Sequence, residues 1–423
     1  PQSTKWGLGI KKFEYDSDDN WIKATYLTID GKTAYDDTDG VAIFTMEYDK
    51  YGNVINAYHL NGDGKPMLPK KNYVSGVHYT YDDKGLIVQD DYLDVEHKPM
   101  YVRGMGVAIV KSEYDENGYV IKKTFCDPSG NITDSKEGNA IAEYLNDEHG
   151  NAIESWFKNS KGELCELSNG YAGVKQEYDS VGNLTKLVYY GIDKKPALDK
   201  DGCAGYTLVF NDQNLLTEYT NLGKDLRPAA DKNGIKLARY AYDKRGNITR
   251  SSFYEADGKT LRLSNEGVAG WDNVYDEKGN HIERRFFDTK EKPVMSSVLH
   301  YAKVKYTYDD NGNLNTVRYQ NVQGGLTLVN GLAGYDYIND KRGNTIEEKP
   351  IGTNGGLAIN RLIIKYKYDA FDNCTEQSVY NNSGAATNST NVHRNEYVYN
   401  SRNQLVETRH YGTDGKLTIC HDN

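Results

Sequence analysis

Apolar and polar residues alternate in short runs that return about every 33 residues from one end of this 423-residue chain to the other. In one run Ala302, Val304, Tyr306 and Tyr308 share a side, with Lys303, Lys305 and Thr307 opposite. Leu362, Ile364, Tyr366 and Tyr368 repeat the pattern. Period-two alternation places one side of each run on a core and the other in solvent, which predicts a half-buried β-strand. Taking the residue before Asp as a phase marker gives Tyr15, Tyr48, Tyr81, Tyr114, Asn146, Tyr178, Asn211, Tyr242, Tyr275, Tyr308, Asn339, Tyr368 and Tyr399. A fixed period of this length means that one supersecondary unit recurs and buries its apolar side only against its neighbours.

The marker opens an Asp-x-x-Gly-Asn phrase, as in Asp49–Gly52, Asp115–Gly118, Asp243–Gly246 and Asp309–Gly312. Asp favours the first position of a type I turn and Gly accepts the left-handed conformation at the fourth, so each unit is predicted to fold back as a hairpin with a bulge. Ala at 42, 108, 140, 172, 269, 302 and 333 marks close packing between units. Gly at 40, 106, 138, 170, 234, 267 and 331 marks a bend that opens each strand. Pro66, Pro99, Pro196, Pro228 and Pro293 share a phase, predicting a short edge segment in the connector between hairpins. The Asn-, Ser- and Thr-rich stretch from Asn381 to Asn391 reads as a flexible loop. Markers Asn146, Asn211 and Asn339 read as bulges that slip an aromatic into the core.

The phrases Glu47-Tyr48-Asp49-Lys50-Tyr51-Gly52-Asn53, Tyr242-Asp243-Lys244-Arg245-Gly246-Asn247 and Tyr308-Asp309-Asp310-Asn311-Gly312-Asn313 resemble the YD-repeat family that includes the Rhs proteins. The resemblance covers all thirteen units, although family repeats are shorter and lack the Gly-Lys-Pro connector. It implies β-hairpins wound into a spiral sheet, in some members a shell around a toxin, and a secreted or cell-surface bacterial protein. The expected fold is therefore all-β: tandem hairpins stacked into one elongated or spiral sheet, solenoid-like or an open shell. Residues 1–423 form a single array of about thirteen repeats with no separate catalytic domain.

Composition adjusts this picture at few points. The mean hydropathy of −0.76 is low, but 36 tyrosines supply apolar area that such scales undercount. A net charge of −10 with Lys and Arg dispersed among acids leaves no cationic stripe for nucleic acid, and no apolar run reaches the ~20 residues of a membrane helix. Five cysteines at unrelated phases argue against a disulfide framework or zinc site, though Cys126 and Cys165 fall in adjacent units. Nine scattered histidines form no motif. Asp16, Asp18 and Asn20 have calcium-loop spacing, yet Trp21 and Leu27 stand where Gly and Glu are required. No metal or cofactor is expected.

Residues that break the repeat are the candidates for function. Trp6, Trp21, Trp156 and Trp271 fall at four phases, with Trp271 assigned to the core side. Trp21 and Trp156 are the predicted ligand contacts, as stacking surfaces for a sugar ring or anchors for a protein. The sequence reads as a non-enzymatic extracytoplasmic scaffold for a glycan or protein partner. The alternative is a YD/Rhs-type shell segment that encloses or presents a toxin domain outside this chain.

Overall fold

The computed structural model describes residues 10–28, 30–36, 39–71 and 73–420, so Trp6 and His421 lie outside the described residues. No described residue is helical, and thirteen antiparallel hairpins follow one another. In each, a six-residue strand such as Ile109–Tyr114 pairs with a return strand such as Val120–Cys126. The pairing slips by one residue at the marker, between Glu113 and Tyr114, where the predicted bulge sits. The turn glycines take the left-handed conformation, with φ of 86° at Gly52 and 87° at Gly312. Where Gly is missing, Asp19, Asn214, Asp372 and Asn403 occupy that region, the residue types that tolerate it best.

The expected open or spiral sheet is corrected by the terminal strands. All strands belong to one hydrogen-bonded sheet, and the first (Ile10–Tyr15) pairs with the last (Leu405–Tyr411) through Ile10↔Arg409, Lys11↔Thr408 and Lys12↔Glu407. The fold is an all-β closed antiparallel barrel of twenty-six strands, plus the two-residue strand Gly384–Ala385. The closing register matches that of internal junctions, where Ile109 and Val110 face Asp91 and Asp90. Closure follows from physics that periodicity does not display: a free terminal strand exposes unpaired N–H and C=O groups, and joining the ends removes both edges.

By contact density the chain divides into two compact units, Pro1–Tyr144 with Phe157–Glu163 and Ile364–Asn423, and Leu145–Trp156 with Leu164–Ile363. In the second, one sheet face is aromatic. Ala238, Phe253, Val268, Phe286, Tyr301, Val304 and Val317 form its buried cluster, flanked by Trp271, Tyr240, Tyr306 and Tyr319. Trp271 thus takes the core side, edge-on to Phe253 and Phe286. Burying a side chain such as Phe286 or Val304 contributes ~1.5–3 kcal/mol. The opposite face carries cross-strand ion pairs, Lys186 with Glu177 at 2.8 Å and Arg239 with Glu218 at 2.8 Å. In the first unit Lys122 and Glu113 do the same at 2.7 Å. Being largely exposed, such pairs add ~0–1 kcal/mol each and chiefly keep that face wet.

The connectors are ordered. Eleven return strands extend through an isolated bridge to the predicted edge segment, as in Leu60↔Pro66, Leu93↔Pro99 and Phe287↔Pro293. A further turn then leads to the recurrent Ala, which is fully buried at 42, 108, 140, 172, 269 and 333. Consecutive connectors are tied by main-chain bonds, Lys136 N to Met105 O at 2.8 Å and Lys232 N to Asp201 O at 2.8 Å. The stretch Asn381–Asn391, expected as a flexible loop, has such a connector's structure: Gly384–Ala385 pairs with Tyr380 and Asn381, and Asn388 caps a turn.

Candidate functional site

The marker tyrosines form the first recurrent constellation. Nine of these hydroxyls reach into the preceding hairpin and donate to the carbonyl of the first residue of its return strand. Tyr48 bonds Trp21 O at 2.9 Å, Tyr81 Val54 O at 2.8 Å, Tyr114 Ile87 O at 2.7 Å, and Tyr308 His281 O at 2.8 Å. Tyr178 and Tyr242 bond Ala152 O and Leu216 O. Tyr15 makes the same bond across the closing seam, to Leu405 O at 3.2 Å. These side chains are half-buried, not the largely buried core residues that the alternation predicts, because the phenol lies along the seam between hairpins. Burial nevertheless raises the pKa of Tyr48 and Tyr308 above the usual phenol value.

Asn339 sits at a bulge, as the sequence reading has it, with the pairing slipping between Ile338 and Asn339. Its Nδ2 also donates to Leu314 O at 2.9 Å, which reproduces the tyrosine's bond. Asn211 is a different case. It occupies the Asp position of the turn, with Oδ1 accepting from the main chain of Gln213 and Leu215, and Phe210 takes the marker position.

The turns hold their Asp by a fixed clip. Asp49 Oδ1 accepts from the N–H groups of Tyr51 and Asn53, and Oδ2 from Asn53 Nδ2 at 3.0 Å. Asp147, Asp179, Asp243 and Asp309 repeat it. The Asn bond is the main cause that holds the pKa of Asp49, Asp179 and Asp309 below the usual carboxylate value. Asp16 is clipped by Asn20 in the same way, which accounts for its calcium-like spacing by turn geometry. Among the described residues no group of His, Cys, Asp and Glu is arranged to hold a metal ion, and all five cysteines are free thiols.

The two predicted ligand contacts have different surroundings. Trp156 pairs with Gly173, where a Cβ would come within 2.3 Å of the indole. Its Nε1 donates to Glu154 Oε2 at 2.9 Å, and Lys194 Nζ lies 5.3 Å from its ring. Tyr58 over Gly76 is the same device in another repeat, an aromatic covering a glycine across the strand. Trp21 instead stacks on Phe44, with centroids 5.3 Å apart and planes 8° from parallel. It lines a cavity of about 240 Å³ with Lys11, Tyr26, Asp39, Phe44, Met46 and His59. His59 sits edge-on to Phe44, its Nδ1 is 3.2 Å from Val74 O, and burial lowers its pKa. Asp39 Oδ1 is buried without a hydrogen-bond partner among the described residues. Lys11, Asp39 and His59 obey no repeat motif, and only the folded chain assembles them around Trp21.

No family model matches the sequence, and no curated protein matches it. Similar solved structures include the TcdB2-TccC3 crystal structure, at 13% identity and TM-score 0.33 over 94% of this chain and 21% of that one. The Photorhabdus luminescens Tc holotoxin pore is similar at 13% identity and TM-score 0.23, over 93% of this chain and 26% of that one. A porin-like protein from Bacteroides uniformis matches at 9% identity and TM-score 0.10. The chain thus spans about a fifth to a quarter of the length of the Tc chains that it matches.

Proposed function

We propose that this chain is a non-enzymatic, extracytoplasmic scaffold of the YD/Rhs type, a wall segment that encloses or presents a polypeptide such as a toxin domain. The observation that carries the reading is the pairing of the first and last strands in the same register as internal junctions such as that between Asp90 and Val110. A sheet closed this way offers a partner its faces and connectors, not strand edges. The tyrosine-to-carbonyl bonds and Asp clips support a frame built for rigidity, because they engage the repeated Tyr, Asp and Asn side chains in structural bonds. The histidines support a non-enzymatic role, since His78, His281 and His410 each bond an Asn side chain and His393 main-chain carbonyls. A protease-sensitive polypeptide fused after Asn423 should be cleaved more slowly than the free polypeptide, and equal cleavage rates refute the wall.

A second reading has its own observation. The cavity beside Trp21 supports a scaffold that binds a glycan or protein partner directly. A binding screen comparing the native chain with a Trp21→Ala, Trp156→Ala variant tests it. Equal binding by both removes the two tryptophans as ligand contacts.

A further inference from the structure

The Trp21 cavity combines features that select a ligand class. Trp21 and Phe44 give a flat apolar wall, continued by Tyr26 and Met46. Asp39 Oδ1 supplies a buried acceptor that no described residue fills, and leaving such an oxygen unpaired is unfavourable. Lys11 brings a cation to the same space, with Nζ 4.8 Å from the centroid of Tyr26 and 5.1 Å from that of Phe13. His59 points one ring nitrogen at a main-chain carbonyl and lines the same cavity. The volume, about 240 Å³, is below the ~300 Å³ at which sites for drug-sized ligands begin, so the occupant is about one ring in size.

Charge decides among the rings that fit. An aromatic wall with a carboxylate is the usual receptor for an ammonium group. Here Lys11 already occupies the face of Tyr26, the place a ligand cation would take on that ring. An anionic ring would meet Asp36 and Asp39. What remains is a neutral ring that offers C–H surface to Trp21 and Phe44, donates a hydrogen bond to Asp39 and accepts one from Lys11.

We propose that the cavity between Lys11, Trp21, Phe44, Asp39 and His59 is a binding site for a single neutral hydroxylated ring, one monosaccharide unit, with a sugar hydroxyl donating to Asp39 Oδ1. This deepens the second reading above and rests on it.

The test is saturation-transfer NMR on the full chain with millimolar methyl β-glucopyranoside, methyl α-galactopyranoside, N-acetylglucosamine and tetramethylammonium as separate probes. At least one sugar should receive saturation, through its ring C–H protons, and tetramethylammonium should not. Asp39→Asn should weaken that sugar about tenfold, the loss of one hydrogen bond to a charged acceptor. Trp21→Ala should abolish the signal, and Phe371→Ser, at an exposed turn tip, should leave it unchanged. Melting curves confirm that each variant is folded. Binding of tetramethylammonium without any sugar overturns the ligand class and leaves the Trp21 reading standing. Binding of no probe overturns both, and sugar binding indifferent to Asp39→Asn overturns the assignment of the acceptor.

Discussion

Closure of the sheet can be tested by covalent trapping at the seam. Lys11 and Thr408 are direct cross-strand partners, and such pairs have Cα atoms ~4.5–5.5 Å apart, inside the range that a disulfide spans. Lys11→Cys with Thr408→Cys should therefore oxidise to an intramolecular bond. That bond closes a loop of roughly 400 residues, for which the chain-entropy relation gives about 6 kcal/mol of stabilisation at 25 °C as an upper value. With an unfolding entropy of ~2.1 cal/mol/K per residue, this corresponds to a rise of roughly 7 °C in melting temperature at most. Non-reducing electrophoresis and peptide mapping identify the 11–408 bridge, and calorimetry with and without reductant reads the shift. Asp90→Cys with Val110→Cys is the control, because it places the same pair at an internal junction. If the control bridge forms and the seam bridge does not, the terminal strands are not paired and the closed barrel is wrong.

Four further outcomes are expected. Tyr81→Phe, Tyr114→Phe and Tyr308→Phe should each cost ~1 kcal/mol in urea unfolding, as should Asn339→Ala, while no change on losing the hydroxyls would discount their carbonyl bonds. Gly334→Ala should cost about 3 kcal/mol or more, since φ is 150° and a Cβ would come within 1.9 Å of Val317 O; Gly52→Ala meets no atom within 4 Å and should cost only ~1–2 kcal/mol by chemical denaturation. Asp49, Asp179, Asp243 and Asp309 have folded pKa values below 3.8, so their contribution is present above that value and is lost as pH falls through the folded pKa. Acid unfolding followed by circular dichroism should move to higher pH when the clipping Asn residues are replaced by Ala. Tyr301 runs the other way: burial raises its pKa from 10.0 to about 12, so stability is flat below pH 10 and falls between pH 10 and 12, with a delayed phenolate absorbance at 295 nm as the readout.

Much of the hairpin was legible because local chemistry dictates it. Asp-x-x-Gly-Asn encodes a turn whatever surrounds it, and the buried Ala and left-handed Gly positions follow from packing and backbone sterics. Closure was not legible, since its register joins residues almost 400 positions apart and alternation specifies only which face a strand shows. The half-burial of the marker tyrosines escaped for a related reason. Face assignment does not distinguish a core position from a seam between hairpins. Asn211 was misplaced because the rule took the residue before Asp, whereas here Asn itself makes the turn's Asp bonds. Trp21 was visible as a pattern breaker, but Lys11, Asp39 and His59 come from three other segments and carry no signal until folded.

The two tryptophans show how a repeat separates packing from other roles. Trp156 and Tyr58 share a position of the repeat and each lies over a glycine, Gly173 and Gly76, whereas other repeats pair Asp91 with Ile109 or Arg285 with Lys303 there. The pair is one structural unit, and its Trp is accounted for by the glycine that it covers. At the Trp21 position other repeats carry Val54, Ile87, Val120, Leu216 or Leu405, any of which completes the strand. The role that this position shares with its equivalents belongs to the backbone, whose carbonyl accepts the next tyrosine's hydroxyl, and Trp21 fulfils it through Tyr48. An aliphatic side chain would preserve that bond. The indole is therefore surplus to the repeat, and what it adds is one wall of a cavity that also holds a buried carboxylate oxygen with no partner among the described residues.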